Sequence, residues 1–104
     1  MGLPPSLTPE QRRAALLKAA SARKERSAFK DEIRSGRRNW REAFDDSRES
    51  IQKMRIKELL EALPGFGEIR VANILERADI SKSRRVQGIG KNQKATLFNL
   101  LADK

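Results

Sequence analysis

Two short stretches carry glycines at a spacing with chemical use. Leu63-Pro64-Gly65-Phe66-Gly67-Glu68 stands between two apolar-periodic segments, and Gln87-Gly88-Ile89-Gly90-Lys91 repeats the Gly-x-Gly pattern ahead of a third. Glycines on either side of one apolar residue let the chain turn tightly. Glycine adopts positive φ at little cost and leaves no side chain in the way of an approaching group. The helix that follows opens with unpaired N–H donors and the positive end of its dipole, which together suit an anion such as a phosphate. Phe66 is expected to plug inward between the helices, with Pro64 stiffening the entry. From Leu63 to Leu75 this is the layout of a helix-hairpin-helix, a motif that grips sugar-phosphate and carries little sequence information. A plain helical hairpin with a glycine turn would explain one copy. Two in tandem, the second bracketed by Arg84, Arg85, Lys91 and Lys94, favour a two-point grip on phosphates.

The charge of the chain points to the same partner. Its 104 residues hold 23 Lys and Arg against 14 Asp and Glu, a net charge of +9 with a pI near 10.7. Such a balance favours a polyanion over an acidic small molecule. Residues 12–41 are net +8 and residues 82–104 net +5, while residues 53–79 balance to zero around an apolar-rich middle. The neutral stretch reads as core and the basic flanks as surfaces for phosphate. Cysteine and histidine are both absent, which removes thiolate metal sites, disulfides, the commonest zinc ligand and the usual general base. No metal, cofactor or small-molecule substrate is expected, and no enzyme activity. With no apolar run of membrane-spanning length and no signal-peptide pattern, the chain is expected to be cytoplasmic and to make no membrane contact.

These residues need helices to position them. Thr8-Pro9-Glu10-Gln11 is a helix start, with Thr8 as cap, proline at the first helical position and Gln11 completing a capping box. A long helix rich in Ala, Lys, Arg and Glu is predicted to about Ser35, stopped at Gly36. Its first half offers Leu16 and Leu17 as its only bulky apolar residues before Phe29 and Ile33, so that half is expected to project as an arm. Asn39 to Phe44 reads as a short helix with Trp40 and Phe44 on one face. Ile56 to Leu63, Glu68 to Asp79, and Lys91 or Asn92 to Ala102 carry apolar residues at helical spacing, including Ile69, Val71, Ile74 and Leu75 in the second of these. No strand is predicted. The expected fold is all-α: a long N-terminal helix followed by a compact domain containing the helix-hairpin-helix. The expected organisation is a basic helical arm at residues 1–36 and a DNA-binding domain at residues 37–104.

The sequence resembles the actinobacterial integration host factors. The shared pieces are Leu3-Pro4-Pro5 with Leu7-Thr8-Pro9-Glu10-Gln11-Arg12, Lys53-Met54-Arg55-Ile56 with Leu59 to Gly67, Ile80-Ser81, and Ser83 to Gly90. The resemblance implies a helix-two-turns-helix domain similar to that of a ribosomal small-subunit protein. It also implies a non-enzymatic, nucleoid-associated architectural protein that binds and shapes duplex DNA with little sequence preference. Monomeric behaviour in solution is expected. Around the first turn the expected DNA-binding residues are Lys53, Arg55, Gly65, Phe66, Gly67 and Arg70. Around the second they are Lys82, Ser83, Arg84, Arg85, Gln87, Gly88 and Gly90, continuing into the last helix with Lys91, Asn92, Gln93 and Lys94. Arg23, Lys24, Lys30, Arg34, Arg37 and Arg38 are expected to make secondary DNA contacts. Two positions depart from the family pattern: Glu68 stands where lysine or another non-acidic residue is usual, and Gln87 where arginine is usual. The alternative is an RNA- or ribosome-binding protein of the same helical fold. It is weakened because no basic tail of ribosomal kind is expected after the last helix. A helical protein-interaction module lacks a sustained heptad seam.

Overall fold

The computed structural model describes residues 8–104; the Leu3-Pro4-Pro5 and Leu7 pieces lie outside the described residues. Five α-helices follow in order: α1 Pro9–Arg34, α2 Glu49–Gln52, α3 Ile56–Glu61, α4 Glu68–Arg77 and α5 Lys91–Leu100, with 3₁₀ turns at Trp40–Asp45 and Val86–Gly88. Among the described residues there is no strand, only an isolated antiparallel bridge between Arg55 and Arg85.

Helix α1 begins and ends as its sequence dictates. Gln11 N–H donates to Thr8 Oγ1 at 3.1 Å and Thr8 N–H to Gln11 Oε1 at 3.0 Å, a complete capping box. At the other end Gly36 takes φ +81°, and the N–H groups of Gly36 and Arg37 return to the carbonyls of Ile33 and Glu32. That pair of bonds is a Schellman stop. Between these ends the helix is solvent-exposed as far as Ser21, with Leu16 and Leu17 about two-thirds exposed, and it enters the core only at Phe29 and Ile33. Arg48 braces α2 against it. Its guanidinium hydrogen-bonds the Asp46 carboxylate at 2.9 Å and reaches Glu25 at 4.0 Å. The bond from Arg48 holds the Asp46 carboxyl below the usual carboxylate range.

The remaining elements close around one core of Ile51, Met54, Ile56, Leu59, Leu60, Phe66, Val71, Leu75, Val86 and Leu97. Trp40 and Phe44 share a face as predicted, but on a 3₁₀ turn, and both meet Phe98 edge-on, with ring centroids 5.4 and 5.9 Å away. Asn39 caps that turn. Arg41 lies over the Trp40 and Phe98 rings and donates to the Leu101 carbonyl at 2.7 Å, pinning the end of α5. Val71 is fully buried. Ile69, grouped with the apolar face of α4 in the sequence, is instead 79% exposed. It lies in the first helical turn, outside the stripe formed by Val71 and Leu75.

Helix α4 ends two residues earlier than the apolar pattern suggests. Asp79 adopts φ +57°, and Asp79 N–H and Ile80 N–H return to the carbonyls of Glu76 and Leu75. This is the same Schellman geometry as after α1, built on an aspartate in place of glycine.

Candidate nucleic-acid interface

The first turn is formed as its residues imply. Pro64-Gly65 ends α3, Gly65 takes φ +79°, and Phe66 N–H closes the turn on the Leu63 carbonyl at 3.1 Å. Phe66 is 5% exposed and joins the core as the plug. Gly67 is the N-cap of α4 with φ −83° and ψ 177°, an extended conformation open to any residue. A Cβ added there would meet nothing within 4 Å. The two glycines therefore differ: Gly65 is required by backbone conformation, while Gly67 leaves space in front of an N-terminus that no side chain caps. The N–H groups of Glu68, Ile69 and Arg70 face that space as the unpaired donors of a helix start.

Charges around this turn stay in solvent but have near neighbours. Glu68 lies 3.4 Å from Lys57 Nζ, which also approaches Glu61 at 3.8 Å. The Arg70 guanidinium stacks over Phe66, 4.0 Å from the ring centre, a cation–π arrangement. Lys53 pairs with Glu49.

The second turn is built differently. Neither Gly88 nor Gly90 has positive φ, so the expectation that both turns need glycine for the same conformational reason does not hold. Val86–Gly88 forms a 3₁₀ turn, and Ile89 packs half-buried against the core. Gly90 is the N-cap of α5. Its N–H donates to Gln93 Oε1 at 2.9 Å, and Gln93 Nε2 donates to the Asp79 carbonyl at 2.7 Å. Gln93 thus ties the start of α5 to the end of α4. Asn92 beside it is exposed.

The bridge between Arg55 and Arg85 joins the loop before α3 to the second turn. Ile56 N–H donates to the Arg84 carbonyl at 2.9 Å, and Val86 N–H to the Met54 carbonyl at 2.8 Å. These bonds fix Arg55 opposite Arg85, both exposed. Ser81, Ser83, Arg84, Arg85, Gln87 and Gly88 line a shallow open depression. Lys82 and Lys91 are exposed, whereas Lys94 lies across the Phe44 ring at 5.3 Å.

The secondary basic residues separate into two kinds. Lys30 is ion-paired to Glu58 at 2.6 Å, and Arg38 to Glu32 and Glu42 at 2.7 and 3.2 Å while stacking over Phe29. Both brace the fold. Arg34 pairs with Asp31, and Arg37 donates to Ser35 Oγ. Arg23 and Lys24 are exposed on α1, and no ion pair involves either among the described residues. Three features escape a reading of apolar periodicity: the exposure of Ile69, the link through Gln93, and the aspartate-built stop at Asp79.

Comparison with known proteins places these elements in a family. Residues 34–100 match the family model described as the S13-like H2TH domain. An integration host factor of Streptomyces coelicolor is 50% identical over 99 residues, covering 93% of this chain and 92% of the relative. One from Mycobacterium tuberculosis is 41% identical over 96 residues, covering 90% and 91%. A solved structure of sIHF bound to an 8-base-pair palindromic DNA superposes with a TM-score of 0.77 at 41% identity, covering 80% of this chain and 96% of that one.

Proposed function

The chain belongs to the S13-like H2TH family, among the integration host factors, and from that premise we propose that it binds duplex DNA as a sequence-tolerant, nucleoid-associated architectural protein. The observation that carries this reading is the space in front of Gly67: an uncapped helix start with nothing within 4 Å of a Cβ placed there. Backbone amides at the starts of α4 and α5 hold phosphates. Gly65 sets the first turn, and Phe66 supports it from the core. Gln93 is bound to Asp79 at the end of α4, so the two helix starts stand on the order of 15 Å apart, about the length of α4.

Arg55, Lys82, Arg84, Arg85 and Lys91 add charge around these amides, with Ser83 and Gln87 as neutral donors and Gly88 and Gly90 leaving room for the backbone. Lys53, Arg70 and Lys94 contribute at longer range, since each is engaged with a neighbour in the free protein. Arg23 and Lys24 on α1 form the better part of a second contact, with Arg34 and Arg37 near its end. Residues 1–36 act as the arm and residues 37–104 as the gripping domain. The assigned residues serve as donors or charges toward phosphate, or shape the turns that present them, which describes a binding protein with no catalytic step. The RNA-binding alternative is not favoured, because the solved relative carries DNA.

The test is a salt-dependent competition between duplexes of unrelated sequence and a structured RNA of equal length. Affinities for the duplexes are expected to agree within about tenfold, roughly 1.4 kcal/mol. Log K should fall with log salt by about 0.9 per phosphate engaged. Replacing Arg23 and Lys24 by glutamine should reduce that slope by up to about 2. A duplex preference well beyond tenfold, or a preference for the RNA, would defeat the reading.

A further inference from the structure

Ile69 is 79% exposed, the most exposed large apolar side chain among the described residues. A lone isoleucine on a surface is ordinary. Its position is not, because it is the second residue of α4, between Glu68, drawn to Lys57, and Arg70, drawn onto Phe66. Each neighbouring charge has a partner within the fold although both stay exposed, and between them an apolar group stands at the helix start. Ile69 N–H is itself one of the open donors. An N–H that donates to a phosphate oxygen at about 2.9 Å brings the Cβ of the same residue within about 5 Å of that oxygen, since two bonds separate N from Cβ. The side chain must then lie beside the phosphate or its sugar. A branched hydrocarbon offers an anion nothing, but it can cover a sugar.

We propose that Ile69 packs on the deoxyribose next to the phosphate held by α4 and so selects DNA over RNA. This rests on the phosphate-grip reading above. Carbon 2′ of deoxyribose is a methylene, and covering it with Ile69 removes apolar surface of both partners from water. In ribose the same carbon bears a hydroxyl, both donor and acceptor, that distinguishes the two backbones. Isoleucine gives that hydroxyl no partner, and burying an unpaired polar group is unfavourable.

The experiment measures binding of the full chain to a DNA duplex, an RNA–DNA hybrid and an RNA duplex of one sequence, for the natural protein, Ile69→Val and Ile69→Ser. Folding of each variant is checked by circular dichroism, and little change is expected at so exposed a position. The natural protein and Ile69→Val should favour DNA over both ribose-containing duplexes. Ile69→Ser, whose hydroxyl can pair with the 2′-OH, should narrow that preference by about three- to tenfold, with the salt slope on DNA unchanged. Salt-dependent DNA binding with the DNA-to-RNA ratio unmoved in Ile69→Ser would overturn the role of Ile69 alone. Loss of salt-dependent duplex binding in the natural protein would overturn both this role and the parent reading.

Discussion

The two Gly-x-Gly turns look alike in sequence and are unlike in physics. In the first, Gly65 is held at φ +79° and Phe66 is sunk in the core, and the α4 start behind Gly67 has no side-chain cap. In the second, both glycines are in ordinary backbone regions, Ile89 is only half-buried, and Gln93 holds the Gly90 N–H just ahead of α5, whose first amides have no side-chain cap either. The charges differ as well. Glu68 and Lys57 nearly cancel beside the first turn, while exposed Arg84, Arg85 and Lys91 surround the second. In the proposed grip the first turn therefore supplies mainly geometry, through a turn fixed by Gly65, and the second mainly electrostatic attraction. A repeated motif is not a repeated mechanism, because the flanking residues decide which part of the grip each copy provides.

The largest effect should come from the charge of the second turn. Reversing Arg84 and Arg85 together to glutamate is expected to lower DNA affinity at least about a hundredfold at low salt and to reduce the salt slope by about 2, one phosphate for each residue. Both side chains are exposed, so the melting temperature should hold. If a folded double variant keeps its affinity, the division of labour between the turns is wrong.

Substitutions at the first turn separate conformation from access. Gly67→Val should lower the melting temperature less than Gly65→Val, because its backbone is extended and its Cβ meets nothing, leaving only the poorer N-cap preference of valine. It should nevertheless weaken DNA binding about tenfold by filling the approach to the α4 amides, a loss of roughly 1.4 kcal/mol. Gly65→Val should do the reverse. A β-branched residue at φ +79° costs on the order of 1–3 kcal/mol, and each kcal/mol lowers the melting temperature by about 4–8 °C in a domain of this size. Equal thermal effects at the two positions would erase the distinction. A smaller effect, of opposite sign, is expected from Glu68→Lys. Adding a cation in place of an acid at the α4 start should raise affinity about three- to fivefold and increase the salt slope by up to about 1.

How much of this was legible in the sequence depended on whether local chemistry or tertiary contact decided each residue. The start and stop of α1 were readable because Thr8, Pro9, Gln11 and Gly36 act on their own neighbours. The helices after Ile56 were readable from apolar spacing. Helix α2, a single turn held by Arg48 and by Gln52 on the Ala43 and Asp46 carbonyls, has no such pattern. The stop after α4 carries no glycine, and aspartate in the left-handed region is uncommon enough to be passed over. Ile69 was misplaced because helical spacing assigns a residue to a face without indicating that the first turn of a helix can leave it uncovered. Among the basic residues, Arg84 and Arg85 stay in solvent while Lys30 and Arg38 are drawn into ion pairs. Composition cannot separate the two outcomes, since the acids that capture them arrive from other elements or from the far side of a turn.

The smallest effect concerns Gln93, which the sequence placed among the DNA contacts and which sharpens the comparison between the turns. Its amide accepts from Gly90 N–H and donates to the Asp79 carbonyl, so in the proposed grip its part is to set the direction in which α5 presents Lys91 and its open amides. Gln93→Ala should remove both bonds, lower stability by about 1 kcal/mol and speed hydrogen exchange at Gly90. DNA affinity should fall only about threefold. No charge is lost, so the salt slope should stay where it is, in contrast to the Arg84 and Arg85 variants. A side chain that reads base edges would behave otherwise: its removal would change the ratio of affinities between unrelated duplexes, because direct readout is specific to the base pair. An unchanged ratio with faster exchange at Gly90 fits a positioning residue. A ratio that shifts by threefold or more would instead put Gln93 in a groove, and make the second turn a reader of sequence where the first is only a grip.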